Sequence, residues 1–295
     1  MAATVNVNGT ITDERQAVVS VFDHGFLYGE GVYETLRTYN RKPFLLERHV
    51  RRLHNSAAMI ALGVPLSDNQ MADRIAETVE HASRAVPADT EWYIRVLVTR
   101  GVGELTYDPA ATPIPSVVLI VKPHQDPPAE LYANGVRVII SSIVRNHPDT
   151  VNPMIKSNNL MNCALAMQEG YKRGAYEVLM RNYRGELAEC ALSNFFIVKA
   201  GAALTPPLNA GLLPGITREF MWDVGKAAGI PISEAVIHDA DVYAADEVFL
   251  TGTTREVMPI VEVDNRTIGT GLPGPVTKEL HAMFRKMALA GAVAV

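Results

Sequence analysis

Cysteine is scarce in this sequence, with only Cys163 and Cys190 among 295 residues. Two thiols cannot form the disulfide framework of a small secreted domain, and they favour a reducing compartment such as the cytoplasm. Long apolar runs are also lacking, since no window approaches the roughly 20 residues that a membrane-spanning helix needs. The N-terminus shows no basic stretch followed by an apolar one, so no secretory signal is expected. The sequence therefore predicts a soluble cytoplasmic protein without a membrane partner.

Runs of like charge are missing as well. The chain carries 27 basic and 32 acidic residues in an interspersed pattern, with a net charge of -5, which predicts no nucleic-acid surface. The histidines are dispersed, and no HExxH or CxxC spacing occurs, so no metal site is predicted. Neither the glycine loop of nucleotide phosphotransferases nor the GxSxG turn of serine hydrolases is present.

The length and a hydrophobic content of 48% predict two domains, each of mixed α/β structure. A helix is predicted after the N-cap Ser67, and strands over 93–99 and 116–122. Prolines in the polar segment 123–130 favour an extended linker. The predicted organisation is a small N-terminal domain (1–122), this linker and a larger C-terminal domain (131–295). In the C-terminal domain, strands over 136–143, 176–180, 194–198 and 247–250 alternate with helices, one starting near Ile216.

One lysine, Lys156, lies between an extended proline-containing segment and a predicted helix start, in VNPMIKSNN. A lysine that attaches covalently to a cofactor needs such fixed surroundings, although a solvated surface lysine is the commoner reading of the local sequence. Glu189, in GELAECALSNFF, precedes an apolar strand, where a buried carboxylate needs a partner.

Two turns offer donors for a phosphate group. The first, LLPGITR, opens into the helix near Ile216, and helix N-termini bind anions through free N–H groups and the helix dipole. The second, TGTT, follows the strand over 247–250, where α/β proteins place ligand contacts. Either turn alone is more often a plain cap. In the first half, DHGFLYGEGVYETLR is rich in glycine and aromatic residues, and Arg52 follows His49 by three residues in a predicted helix over 46–62.

The order of these segments, DHGFLYGEGVYETLR, RHVRRL, the lysine segment, ELAECALSNFF, LLPGITR and LTGTTREVMPI, resembles the class IV (fold-type IV) pyridoxal-phosphate enzymes over nearly the whole chain. These enzymes include branched-chain and D-amino-acid aminotransferases and aminodeoxychorismate lyase. The resemblance implies two mixed α/β (α+β) domains, an active site in the cleft between them, and a homodimer. It makes Lys156 the catalytic, cofactor-carrying lysine and Glu189 the acid on the pyridine nitrogen. The implied phosphate and cofactor contacts are Arg52, Leu213, Gly215, Ile216, Thr217 and Thr253.

The substrate is less directly implied. Tyr93 and Arg95 look like the branched-chain members, in which the arginine receives the side-chain carboxylate of glutamate or 2-oxoglutarate. Other implied substrate contacts are Tyr28, Tyr33, Arg37 and Thr254. The resemblance therefore implies a transaminase that moves an amino group between branched-chain L-amino acids and 2-oxoglutarate.

Other features keep alternatives open. Thr35 stands where branched-chain enzymes often have glycine, and Met161 stands where many have a tyrosine. The segment KSNNL leans toward the D-amino-acid group, so a D-amino-acid or (R)-amine transaminase is the second hypothesis. Aminodeoxychorismate lyase, supported by Thr35, is the third. A binding module without catalysis is disfavoured because the lysine, the acid, the arginine and both turns are all present.

Overall fold

A computed structural model describes residues 3–84 and 86–291, and these fall into two units. The first comprises residues 3–125 and 155–159 with Gly291, and the second comprises 126–154 and 160–290. The predicted domain ends at residues 1 and 295 lie outside the described residues. A division at 125/126 lies inside the predicted linker, but the segment 155–159 belongs to the first unit rather than to the C-terminal one.

The first unit is an antiparallel sheet packed against helices. Its six strands run in the order β2-β1-β6-β5-β3-β4. The elements are β1 (Thr4–Val7), β2 (Thr10–Asp13), α1 (His24–Tyr28), β3 (Gly31–Tyr39), β4 (Lys42–Pro43), α2 (Leu46–Met59), α3 (Asp68–Ser83), β5 (Trp92–Thr99) and β6 (Ser116–Pro123).

Alternation of apolar residues places one face of this sheet on the core. In β5, Trp92, Ile94, Val96 and Val98 are buried in one cluster with apolar residues of α2 and α3, while the intervening residues face the other way. The predicted helix after Ser67 is confirmed as α3, which begins with a capping box between Ser67 and Gln70. The helix predicted over 46–62 ends earlier, at Met59.

The lysine segment forms an additional edge of this sheet. Ser157 bridges Val32 in antiparallel fashion. Tyr33 N donates to Lys156 O at 2.9 Å, and Asn158 N donates to Gly31 O at 2.8 Å. Gly31 is required here, because a Cβ would lie 2.5 Å from Asn158 Nδ2. The glycine-rich motif therefore permits close docking of a segment that follows it by more than a hundred residues.

The second unit contains a nine-stranded mixed sheet in the order β12-β11-β10-β13-β14-β7-β8-β9, with β15 also paired to β14. Its strands are β7 (Val136–Ile140), β8 (Glu177–Arg181), β9 (Leu187–Cys190), β10 (Asn194–Lys199), β11 (Ala202–Thr205), β12 (Ile232–Glu234), β13 (Glu247–Gly252), β14 (Glu256–Val263) and β15 (Arg266–Thr267). Its helices are α4 (Ala129–Asn134), α5 (Met161–Lys172), α6 (Ile216–Ala228), α7 (Asp239–Tyr243) and α8 (Pro275–Gly291).

Several predicted boundaries in this region change. The linker predicted over 123–130 is shorter, because β6 includes Pro123 and α4 begins at Ala129. The strand predicted over 136–143 ends at Ile140, and Ser141 Oγ and the backbone of Ser142 then bond to Glu169. Strands predicted near 176–180, 194–198 and 247–250 and the helix near Ile216 are confirmed as β8, β10, β13 and α6.

In the described residues, no helix combines the length and apolar character that crossing a membrane requires.

Candidate active site

The lysine predicted to carry the cofactor is held on both sides by the first unit. Lys156 N donates to Ser56 Oγ of α2 at 3.1 Å, and Lys156 O accepts from Tyr33 N at 2.9 Å. Its Nζ lies 4.6 Å from the centroid of the Tyr33 ring. Backbone bonds on both sides of the residue fix its Cα, so the position of the amine depends mainly on side-chain rotation. The helix predicted to start here begins instead at Met161.

Arg52 lies on the buried face of α2 and is bound by a carboxylate that the sequence analysis did not single out. Its Nε donates to Glu34 Oε1 at 2.7 Å and its Nη2 donates to Glu34 Oε2 at 2.8 Å. Both side chains are almost completely buried, with 8% of Arg52 and 1% of Glu34 exposed. A bidentate pair of this kind fixes the plane of the guanidinium. Arg52 therefore faces the protein interior and not the solvent.

His49 completes this cluster, with Nδ1 2.7 Å from Glu34 Oε2. Burial would raise the pKa of Glu34, but the charge of Arg52 and its hydrogen bonds, together with His49, outweigh burial and hold that pKa well below its usual range. Burial and the charges of Arg52 and Lys156 lower the pKa of His49, although the charge and hydrogen bond of Glu34 oppose this. His49 is therefore neutral, with its proton on Nδ1, while Glu34 and Arg52 are charged.

The opposite face of the same sheet carries predicted substrate residues. Arg95 Cζ lies 4.1 Å from the centroid of the Tyr33 ring, so Tyr33 contacts both Arg95 and Lys156. Tyr93 lies two residues away on β5, and Lys122 Nζ is 5.1 Å from its ring centroid. The structure thus groups Lys156, Tyr33 and Arg95, with Tyr93 on the same face.

Two other predicted substrate residues have different surroundings. Arg37 is only 2% exposed, and its guanidinium stacks over the Tyr39 ring at 4.2 Å. Tyr28 ends α1 and contacts the His24 ring at 4.9 Å and the Tyr107 ring at 5.1 Å. The roles predicted for Arg37 and Tyr28 stay predictions.

In the second unit, Glu189 is the centre of a hydrogen-bond network. Arg145 Nε donates to its Oε1 at 2.8 Å, Leu213 N donates to its Oε2 at 3.0 Å, and Asn194 Nδ2 lies 3.4 Å from the same oxygen. Asn194 Nδ2 also donates to Leu213 O at 3.1 Å. Glu189 is only 5% exposed, so these donors and the Arg145 charge offset the cost of burying its carboxylate. The strand β9 and the LLPGITR turn are joined through this one residue.

The phosphate turn predicted at Leu213 leads directly into α6. Gly215 is the N-cap of this helix, and Ile216 and Thr217 are its first residues. The N–H groups in the first turn of a helix have no acceptor within the helix, and glycine at the N-cap has no side chain that could accept their hydrogen bonds. A Cβ on Gly215 would lie 1.9 Å from Asn194 Oδ1, so the turn requires glycine. The N-terminus of α6 is therefore suited to an anion.

The second predicted turn connects β13 to β14 and contains Thr253 and Thr254. Thr251, at the end of β13, is 1% exposed, and its Oγ1 has no hydrogen-bond partner among the described residues. A buried hydroxyl without a partner is costly unless a ligand or water meets it. This hydroxyl and the two threonines after it are consistent with a ligand at the turn.

Sequence reasoning missed three ionic partners, which are Glu34 for Arg52, Arg145 for Glu189 and Glu177 for Arg255. Glu34 shares a face of β3 with the apolar Val32 and Leu36, a spacing of two that the motif GEGVYETLR already shows. A carboxylate on the apolar face of a strand signals a buried partner. Arg145 and Glu177 had no comparable local signal.

Comparisons with known proteins find similarity over most of the chain. A sequence model described as amino-transferase class IV matches residues 31–263. A protein of Methanocaldococcus jannaschii, provisionally named a branched-chain-amino-acid aminotransferase, is 38% identical over 281 residues, covering 95% of both chains. The D-alanine aminotransferase of Bacillus licheniformis is 32% identical and covers 96% of both. The crystal structure of the T.th. branched-chain amino acid aminotransferase with pyridoxamine 5'-phosphate superposes with a TM-score of 0.92 at 29% identity, covering 98% of this chain and 95% of that one.

Proposed function

This chain belongs to the class IV aminotransferases, and on that premise we propose that it transfers amino groups between branched-chain L-amino acids and 2-oxoglutarate. The enzyme is a pyridoxal-phosphate-dependent aminotransferase of the class IV fold, which confirms the predicted family, fold class, reaction type and cofactor. The identities of the donor and the acceptor are the part that is proposed. The observation that carries this part is the contact of Arg95 with Tyr33, the ring that also contacts Lys156.

The residues present fit pyridoxal phosphate. The uncapped N-terminus of α6 and the orphaned Thr251 hydroxyl suit a phosphate, Glu189 offers a carboxylate for a ring nitrogen, and Lys156 offers an amine. Proposed holders are Lys156, Glu189, Arg52, Leu213, Gly215, Ile216, Thr217 and Thr253. When bound, the cofactor supplies an aldehyde carbon to which an amino group attaches and a pyridinium ring that draws electron density from the substrate Cα.

The side chains then have distinct tasks. Lys156 would hold the cofactor through its Nζ, and the same amine would move the proton of the substrate Cα. Glu189, kept in place by Arg145 and Leu213 N, holds a proton at the ring nitrogen. Arg52, with its guanidinium plane set by Glu34, presents a fixed positive charge to the phosphate.

Substrate choice is assigned to the face that carries Tyr33, Tyr93 and Arg95. We propose that Arg95 binds the side-chain carboxylate of glutamate or 2-oxoglutarate, and that the tyrosine rings enclose an aliphatic side chain. The amide of Thr254 is proposed for the substrate α-carboxylate. The 2-oxo acid and the amino acid are thus bound by the same pocket in alternate half-reactions.

A D-amino-acid transaminase is the second candidate, because the D-alanine aminotransferase of Bacillus licheniformis is 32% identical over nearly the whole chain. Steady-state rates with L-leucine, L-valine, D-alanine and an (R)-primary amine, each with 2-oxoglutarate, discriminate the two. We expect kcat/KM for L-leucine to exceed that for D-alanine. A higher value for D-alanine or the amine would overturn the branched-chain proposal in favour of the second candidate.

A substitution tests the assignment of Arg95. Arg95→Met removes a charge-assisted contact worth roughly 1.5–3 kcal/mol, so KM for 2-oxoglutarate should rise about 10- to 100-fold. KM for L-leucine should change little, because its side chain has no carboxylate. Lys122→Met is the matched control, since it removes another cation from the same sheet face. Equal effects of Arg95→Met on 2-oxoglutarate and on L-leucine would contradict the assignment.

A homodimer located in the cytoplasm is also proposed. In the first unit, two neighbouring segments, 17–28 with α1 and 101–115, are joined by the Asp23–Val102 bridge and expose Phe26 at 69% and Tyr107 at 80%. Exposed apolar side chains clustered in this way mark an association surface. We expect Phe26→Asp to shift the mass measured by light scattering from dimer to monomer, whereas Tyr171→Asp, an exposed position on α5, should not. A monomeric wild-type protein would refute the assembly.

A further inference from the structure

Arg255 lies directly after Thr253 and Thr254, and its guanidinium is turned into the second unit. Its Nη1 is 2.9 Å from Glu177 Oε2 and donates to Ser193 Oγ at 3.1 Å, while its Nε is 3.3 Å from Tyr176 Oη. The side chain therefore binds Tyr176 and Glu177 at the beginning of β8, and Ser193 in the turn before β10. None of the proposed cofactor or substrate contacts involves this arginine.

The backbone of the same turn is held separately. Tyr132 Oη donates to Arg255 O at 3.1 Å, and Arg255 N donates to Gly252 O at 3.1 Å. The next residue, Glu256, has a φ of +54°, a left-handed conformation that is strained for a residue other than glycine. Its carboxylate is 2.8 Å from His281 Nε2. The backbone bonds of Arg255 and the contact of Glu256 with His281 therefore fix the short connection between β13 and β14.

Glu177 links this turn to the strand that carries Glu189. It is completely buried, and it accepts hydrogen bonds from Leu192 N at 2.6 Å and Ser193 Oγ at 3.1 Å. Leu192 and Ser193 form the turn between β9, which contains Glu189, and β10. Burial raises the pKa of Glu177, whereas the charge of Arg255 and the hydrogen bonds from Leu192 N and Ser193 Oγ oppose this rise.

We propose that Arg255 is a positioning residue that, through Glu177, holds the Thr253–Thr254 turn in register with the turn following Glu189. In this way the groups that receive the cofactor phosphate and the substrate α-carboxylate are ordered before either ligand binds. The inference rests on the proposed roles of Thr253 and Thr254. Without the pair, ligand binding must order the turn, and fixing one residue's backbone costs enough to weaken binding about tenfold.

The test removes the pair without leaving a buried charge, in the double variant Arg255→Met/Glu177→Gln. Apoenzyme is titrated with pyridoxal phosphate and with pyridoxal, which lacks the phosphate, and the two dissociation constants are compared. We expect the constant for pyridoxal phosphate to rise about tenfold and that for pyridoxal to stay unchanged. In the reconstituted enzyme, KM for the amino donor should rise more than kcat falls. Arg181→Met/Asp239→Asn is the matched control, since it removes another ion pair of β8.

Equal losses for pyridoxal phosphate and pyridoxal, or no loss for either, would overturn the proposal. If the double variant does not fold, Arg255→Lys gives the second test, because lysine keeps the charge beside Glu177 but lacks the planar fork of donors. It should show a smaller, still phosphate-dependent loss, and wild-type binding by this variant would overturn the proposal. Failure of the branched-chain assignment would change the preferred donor but leave the ratio of the two dissociation constants unaffected, so the two failures are distinguishable.

Discussion

Replacing Glu34 with glutamine is the substitution whose effect the structure defines best. Glu34→Gln keeps the size of the side chain but removes the charge that Arg52 and His49 both contact. Removing one partner of a buried ion pair costs roughly 3–5 kcal/mol, because the other charge is left uncompensated. One amide oxygen remains as an acceptor, so we expect the free energy of unfolding of the first unit to fall by about 3 kcal/mol, the lower end of that range.

The chain offers a specific assay for this loss, because it has only two tryptophans. Trp92 is buried in the core of the first unit and Trp222 lies on α6 of the second. In a Trp222→Phe background, urea unfolding followed by fluorescence reports on Trp92 alone. Glu30→Gln is the matched control, since Glu30 pairs with Arg100 but its side chain is 30% exposed. A loss below about 0.5 kcal/mol for Glu34→Gln, the range of ordinary surface substitutions, would refute the ion-pair reasoning.

The effect of pH has a definite sign. The pKa of Glu34 is depressed in the folded state, so its stabilisation is present above the unfolded pKa of about 4.3 and is lost as pH falls towards the folded value. The difference in unfolding free energy between wild type and Glu34→Gln should therefore be constant from about pH 6 to 8 and shrink below about pH 4.3. A difference that grows on acidification would contradict the assignment of charge to Glu34.

Three further outcomes are expected. Lys156→Ala should lower kcat by at least about 10²-fold, the smaller contribution of a proton-transferring group, while Lys172→Ala, at an exposed position on α5, should not; retained turnover would refute the role of Lys156. Gly215→Ala forces a Cβ towards Asn194 Oδ1, so it should cost roughly 1–3 kcal/mol of stability and weaken pyridoxal phosphate binding, measured by thermal melting and titration, and an unchanged melting temperature would contradict the contact. Burial raises the pKa of the Cys190 thiol, so it should react with a thiol reagent at pH 8 only after denaturation, and fast labelling of the folded protein would show that the burial is wrong.

Several parts of the site followed from the sequence because the necessary information is local. The Ser67 cap and the turn at Gly215 depend on residues a few positions apart, and the structure has both where the sequence predicts them. Short runs rich in β-branched and aromatic residues likewise predicted β5 and β10. Element ends were less accurate, as at Ile140 and Met59, because side-chain and tertiary contacts determine where hydrogen-bond ladders stop.

Local sequence did not show which residues pair with the predicted site residues. Glu34 and Arg52 are 18 residues apart, Arg145 and Glu189 are 44 apart, and no local pattern specifies such pairings. The assignment of Lys156 to the first unit was also unexpected, since its neighbours in sequence belong to the second. Its docking depends on the free edge of β3 and on the missing side chain of Gly31.

The sequence by itself determined the family, the cofactor and the succession of helices and strands, because motif order and short-range periodicity are properties of a single chain. Only the tertiary structure decided that Arg52 is fixed by Glu34 and His49, that Glu189 is fixed by Arg145, and that the strand edge at Tyr33 receives the lysine segment. These arrangements bring together charges and backbone groups distant in sequence, and a buried charge is stable only where folding supplies its partner.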